Sequence, residues 1–202
     1  MDKLPEDYWI GRGADLIGIE ILSEKENARQ FPTYQAIVQE IWCREFPMVL
    51  DVGCNVAALE MFLNMKPWPG VYFGIDTNPH AVKFCSDRGL SVKLGGLRPP
   101  FMPAISYDCV VVKDVLEHLE SLDPAREAFR VASKAVILSF FMPPTPHESN
   151  IQKTDLGYYH NRYDEREVIH TALHLGFMMV KRIDTWERGP IHMNRTYVFV
   201  RG

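Results

Sequence analysis

Four stretches of the chain gather residue types that can do chemistry. The first is Asp51-Val52-Gly53-Cys54-Asn55, which follows the apolar run Met48-Val49-Leu50 and precedes a helical pattern in Val56, Leu59, Met61, Phe62 and Leu63. That is a buried strand, a tight turn and a helix start. Gly53 lets the backbone turn sharply and a ligand approach, and a helix entered near Asn55 points N–H groups into the same space. Asp51 adds a fixed negative charge there, suited to a ligand carrying an amine or other cation. The second stretch is Asp76-Thr77, with Asp76 twenty-three residues past Gly53 at the end of the apolar run 71–75. An acidic side chain so placed can accept both hydroxyls of a ribose; the competing role, a carboxylate at a helix start, is weakened because Asn78 already supplies a cap. The third is Lys113-Asp114, at the carboxyl end of the apolar run 108–112 and followed by Glu117 and His118. The fourth, Tyr158-Tyr159-His160-Asn161-Arg162-Tyr163, carries a histidine able to take a proton from a hydroxyl or amine, and tyrosines able to wall a pocket. The competing reading has the tyrosines burying a loop while His160 bonds a carbonyl.

The elements that must hold these residues alternate. Tyr34, Ile37, Val38, Ile41 and Trp42 recur at three- and four-residue intervals and predict a helix over 33–44, packed on a sheet. Strands are predicted at 48–51, 71–75, 91–94, 108–112 and 135–140. Asn78-Pro79 opens the helix after the second strand and Gly89 closes it; Asp123-Pro124 opens another. Strands buried on both sides and alternating with helices describe a doubly wound parallel sheet. Pro143, Pro144 and Pro146 then begin a long polar loop running to Arg162, longer than a connection needs. Asp164 with Glu167 predicts a capping box for a helix over 165–175 ended by Gly176, and 177–183 with 196–200 predict two strands paired antiparallel at the sheet edge.

The turn at Asp51 to Ala57 resembles the first motif of class I S-adenosylmethionine-dependent methyltransferases, D-x-G-C-G-x-G, with Asn55 and Ala57 in place of the second and third glycines. Asn tolerates a left-handed backbone, and Ala57 asks only slightly more room. Tyr107-Asp108-Cys109-Val110-Val111-Val112-Lys113-Asp114-Val115-Leu116-Glu117-His118-Leu119 is similar to the family's fourth-strand segment, in which a D-V-L-E-H-L helix follows the strand. The likeness covers about residues 46–140, and its relatives are the small-molecule, methyltransferase type 11-like members. It implies a Rossmann-like, doubly wound α/β sheet of seven strands, mostly parallel with an antiparallel last strand. It also implies S-adenosyl-L-methionine as cofactor, held by Asp51, Gly53, Cys54, Asn55, Asp76, Thr77, Gly96, Leu97, Lys113 and Asp114. Gly96 stands where the family has an adenine-binding aspartate, so Leu97 would offer adenine only a backbone N–H. His160 and His118 are the catalytic candidates. A similar E-x-x-E-H pattern in small-RNA ribose and ubiquinone-pathway O-methyltransferases holds a metal, so a second reading puts Asp114, Glu117 and His118 on one helix face around a divalent ion, with His147 or His160 completing the set. The favoured reading has no metal. A third keeps the fold as a non-catalytic binding module whose turn has decayed at Asn55, Ala57 and Gly96.

At 202 residues, 47% hydrophobic and 24% charged, the chain reads as one globular domain: a helical lead-in (1–45), a cofactor-binding half (46–141), and a substrate loop, last helix and strand pair (142–202). In the resembled family such a lead-in often folds over the cofactor, which would bring Tyr8, Trp9 and Arg12 near the site; otherwise these residues anchor a terminal segment. The net charge of -4 carries no long like-charged block, so neither nucleic acid nor a membrane surface is an expected partner, and a small-molecule substrate is. The widely spaced Cys43, Cys54, Cys85 and Cys109, with no apolar leader or span, point to a reduced, cytoplasmic protein.

Overall fold

The computed structural model describes residues 24–97, 106–155, 157–186 and 193–202. The expectations for Tyr8, Trp9 and Arg12 fall outside them. Along the chain run α1 (Glu24–Cys43), β1 (Met48–Val52), α2 (Ala58–Leu63), β2 (Val71–Asp76), α3 (Pro79–Ser86), β3 (Val92–Leu94), β4 (Tyr107–Lys113), α4 (Ala125–Val131), β5 (Ala132–Phe140), α5 (Glu165–His174), β6 (Phe177–Trp186) and β7 (Met193–Arg201). The strands form one seven-stranded sheet in the order β3-β2-β1-β4-β5-β7-β6. β1 to β5 are parallel, and β7 enters antiparallel between β5 and β6. Among the described residues no helix is long and apolar enough to cross a membrane.

Alternation along each strand sorts the core onto two faces. Val49, Cys109, Val111 and Ile137 meet Ile37, Val38 and Ile41 of α1 together with Leu59, Phe62 and Leu63 of α2. Leu50, Val110, Val112 and Leu138 meet Phe129 of α4 and Val168 of α5. All four cysteines are free thiols, three of them buried.

Several local expectations change. α1 starts nine residues earlier than predicted, carrying Pro32 inside it. α2 begins at Ala58 rather than at Asn55, because Asn55 (φ 49°) and Ala57 (φ 61°) both sit in the left-handed region. Ala57 therefore does more than need room: an alanine held there carries a backbone cost of about 1 kcal/mol. The segment Asp114 to Leu119 is not a helix but a single 3-10 turn, Leu116–His118, entered through a left-handed Asp114 (φ 56°). α4 runs into β5 without a loop, so that strand begins at Ala132. Asp164 caps α5 by accepting Arg166 N–H, but Glu167 reaches Ser149 instead of closing the capping box.

Candidate active site

The carboxyl ends of β1, β2 and β4 border the point where strand order reverses, and the predicted site residues converge there. The turn after β1 is tied down by its own amides. Gly53 N–H (2.9 Å) and Cys54 N–H (3.1 Å) both donate to Ile75 O, and Asn55 N–H donates to Asp76 Oδ2 at 2.8 Å. The amides expected to be open to a ligand are thus spent on β2, which fixes the turn's shape. Gly53 (φ 71°) has a second reason to be glycine: a Cβ there would lie 2.3 Å from Val115 Cγ2. Val115 closes on the turn from the far side, so β1 and the segment after β4 meet side chain to backbone.

Asp76 is partly exposed at the end of β2 and splits its oxygens, Oδ2 on Asn55 N–H and Oδ1 on Asn78 N–H at 2.8 Å. Burial pushes its carboxyl above the ordinary range, opposed by these backbone donors. Asn78 caps α3 through His80 N–H at 2.9 Å. Gly96 lies against this segment: a Cβ on it would come within 2.8 Å of Thr77 Cγ2. The missing aspartate therefore has a steric counterpart in Thr77, and Leu97 beside it is buried in the core.

Asp51 is not the fixed charge its position suggested. It is only 5% exposed, Tyr72 OH donates to its Oδ2 at 2.9 Å, and burial raises its carboxyl to about 7, with nearby Lys113 pulling the other way. Near neutral pH it titrates. Lys113 shares its sheet face, pairs with Asp114 Oδ2, and sits 4.9 Å from the centre of the Tyr34 ring, itself stacked on Phe62 at 4.8 Å. Tyr34, backed by the buried Phe62, thus lies beside the end of β4, a placement that the apolar stripe of α1 did not disclose. The signal was a polar-tipped ring at the end of that stripe.

His118 and His160, far apart in sequence, are brought together with ring centroids 5.5 Å apart. Phe141 lies 5.2 Å from His118 and 5.6 Å from His160, and Tyr158 stands 5.9 Å and 5.3 Å from the same two rings. The polar loop that supplies His160 folds back on itself through bridges Asn150↔Arg162 and Lys153↔Tyr159. His118 Nδ1 lies 2.9 Å from Tyr159 O, so Nδ1 carries the proton and Nε2 is the basic nitrogen. Burial lowers the His118 pKa, so the ring is neutral at physiological pH. Asn161, wholly buried, donates from its side chain to Leu119 O at 2.6 Å and locks the loop to the turn carrying His118.

The metal alternative required Asp114, Glu117 and His118 on one helix face. Without the helix they diverge: Glu117 is wholly buried with Oε1 on Phe141 N–H at 2.7 Å, and His118 turns to Tyr159. Among the described residues no three His, Cys, Asp or Glu side chains gather as a metal set. Asp108, near the start of β4, accepts Met48 N–H at 3.1 Å and pairs with Lys134 at 2.8 Å.

No family model matches the sequence, and no curated protein matches it either. Solved structures do. Magnesium protoporphyrin IX methyltransferase from Synechocystis PCC 6803, with bound S-adenosylhomocysteine, superposes with a TM-score of 0.74 at 18% identity over 98% of this chain and 98% of that one. The 1,6-didemethyltoxoflavin-N1-methyltransferase of Burkholderia thailandensis gives 0.68 at 12% identity, covering 98% and 86%. An amino pentose methyltransferase from Micromonospora echinaspora gives 0.62 at 13%, covering 84% and 90%. The sheet order, the antiparallel β7 and these superpositions agree: the chain has the class I S-adenosylmethionine-dependent methyltransferase fold.

Proposed function

We propose that the protein is an enzyme that transfers the sulfonium methyl of S-adenosylmethionine to an oxygen or nitrogen of a small-molecule acceptor. The observation that carries this reading is Asp76: a partly exposed carboxylate at the end of β2, oriented by Asn55 and Asn78 N–H groups and retaining lone pairs for two ribose hydroxyls. Thr77 and the glycine at 96 would border the adenine. Lys113 and Asp114 would face the amino-acid end, with Asp51 and Cys54 beneath the turn. The cofactor, when bound, supplies an activated methyl group, so most of the rate comes from holding acceptor and methyl in line. His118 Nε2 is the chain's proton acceptor for the attacking hydroxyl or amine, and His160, Phe141 and Tyr158 wall the acceptor's place. The structural neighbours support the reading: the magnesium protoporphyrin IX and 1,6-didemethyltoxoflavin methyltransferases hold S-adenosylhomocysteine, and the amino pentose methyltransferase holds S-adenosylmethionine.

The rival is a binding module of the same fold, favoured by one observation: Gly53, Cys54 and Asn55 amides are all donated within the protein. Isothermal titration with S-adenosylmethionine and S-adenosylhomocysteine separates them. One-to-one binding of either supports the enzyme; no heat with either at millimolar concentration overturns it.

A further inference from the structure

Glu117 is wholly buried, and its two oxygens have unequal surroundings. Oε1 accepts the backbone N–H groups of Phe141 at 2.7 Å and Met142 at 3.4 Å. Oε2 is sealed from solvent with no hydrogen-bond partner among the described residues. Asp114, three residues earlier, has the same defect: Oδ2 is paired with Lys113 Nζ, while Oδ1 is buried and unpartnered. An ionised Glu117 in such a setting would strand an oxygen away from water, with the charge of Asp114 nearby. The other polar groups around Glu117 do not relieve it. Tyr163 OH donates to Leu116 O at 2.8 Å, Asn161 N–H goes to the Glu117 backbone carbonyl, and His118 Nδ1–H goes to Tyr159 O. A proton on Glu117 Oε2 removes that buried charge.

We propose that Glu117 is held as a neutral carboxylic acid, protonated on the sealed Oε2, and that this acid is the positioning residue for the Phe141–Met142 backbone behind the histidine pair. Glu117 thereby acts through Phe141, whose ring contacts both His118 and His160. Burial, reinforced by the charge of Asp114, drives the Glu117 carboxyl well above the ordinary carboxylate range. The inference concerns the ground state of the folded chain and does not depend on methyl transfer.

Infrared spectroscopy of the intact protein tests it, because the carbonyl stretch of a protonated carboxylic acid is resolved from ionised carboxylates. At about pH 8.5, where Asp51 has titrated, the wild type retains such a band and Glu117→Gln lacks it. Carboxyl-labelled glutamate in the wild-type protein shifts the band and labelled aspartate does not, which serves even if the variant fails to fold. Glu117→Gln, which keeps an acceptor for the two N–H groups and carries no charge, melts within about 2 °C of wild type, whereas Glu117→Ala melts lower by roughly 5 °C or more. The absence of a protonated band at that pH, or a band that moves with the aspartate label, overturns the proposal.

Discussion

Asn55 N–H reaches Asp76 Oδ2 at 2.8 Å, so one carboxylate both closes the turn after β1 and stands where a ribose would be held. Structural and binding duties fall on the same side chain. Asp76→Ala strands the Asn55 and Asn78 amides together, and we expect it to lower unfolding stability by about 1 to 3 kcal/mol as well as weakening cofactor binding by a similar amount. Asp76→Asn keeps one acceptor and loses less of both. Thermal melts beside titration of S-adenosylhomocysteine check this; unchanged binding in the alanine variant would remove Asp76 from the site.

Gly53 and Val115 are coupled by contact. Gly53→Ala meets both the left-handed backbone and Val115 Cγ2, and should destabilise by about 2 to 4 kcal/mol. Adding Val115→Ala relieves the clash but not the strain, so the double variant recovers part of the loss. Additive effects in denaturant unfolding would show that the two do not touch.

Asp51 makes stability depend on pH in a stated direction. Its folded carboxyl titrates at about 7, above the unfolded value of 3.8, so its contribution is full below pH 3.8 and is lost as pH rises to about 7. Asp51→Asn should therefore match wild type near pH 4 and exceed it increasingly up to pH 7, reaching a gain of roughly 2 to 4 kcal/mol. Urea unfolding at several pH values measures the difference; a gap that does not widen with pH contradicts it.

His118 carries a lowered pKa, so its base form persists to lower pH than an ordinary histidine's. With an acceptor in hand, the rate should hold steady above neutrality and decline only below the usual histidine range. His118→Asn should reduce kcat by about 10²- to 10⁴-fold, the scale of one general base, while leaving cofactor affinity intact. A rate that falls through the ordinary histidine range would show that His118 is not the base.

Manganese added to the protein should remain free by electron paramagnetic resonance, because Glu117 faces backbone amides and His118 faces Tyr159. Bound manganese that Asp114→Asn releases would restore the metal-assisted reading.

How much was legible in the sequence differs by range. β1, β2, β4 and β5 are buried on both faces and appear as unbroken apolar runs, and the start of α3 is written locally in Asn78-Pro79. Individual site residues were visible for the same reason, as polar residues at the ends of such runs. What was hidden depends on distant partners. The segment after β4 carries a helical pattern, yet Glu117 is drawn to Phe141, twenty-four residues on, and Asp114 turns left-handed. The charge state of Asp51 is set by its burial in the finished fold, opposed by the hydrogen bond from Tyr72 on the neighbouring strand. His118 and His160 were named separately, but their contact needs Asn161 to bind Leu119 O across forty-two residues.

The position of β7 bears on the order in which the chain can fold. β6 is made before β7, yet its neighbour in the sheet is β7 alone, and β7 must slot between it and β5. While β7 is missing, whether during synthesis or early refolding, β5 offers an open edge and β6 has nothing to pair with. Met178, Met179 and Val180 of β6, partly exposed even in the finished fold, then belong to an unanchored apolar strand. The last strand closes the sheet, and the interval before it arrives is when this chain is most exposed to aggregation.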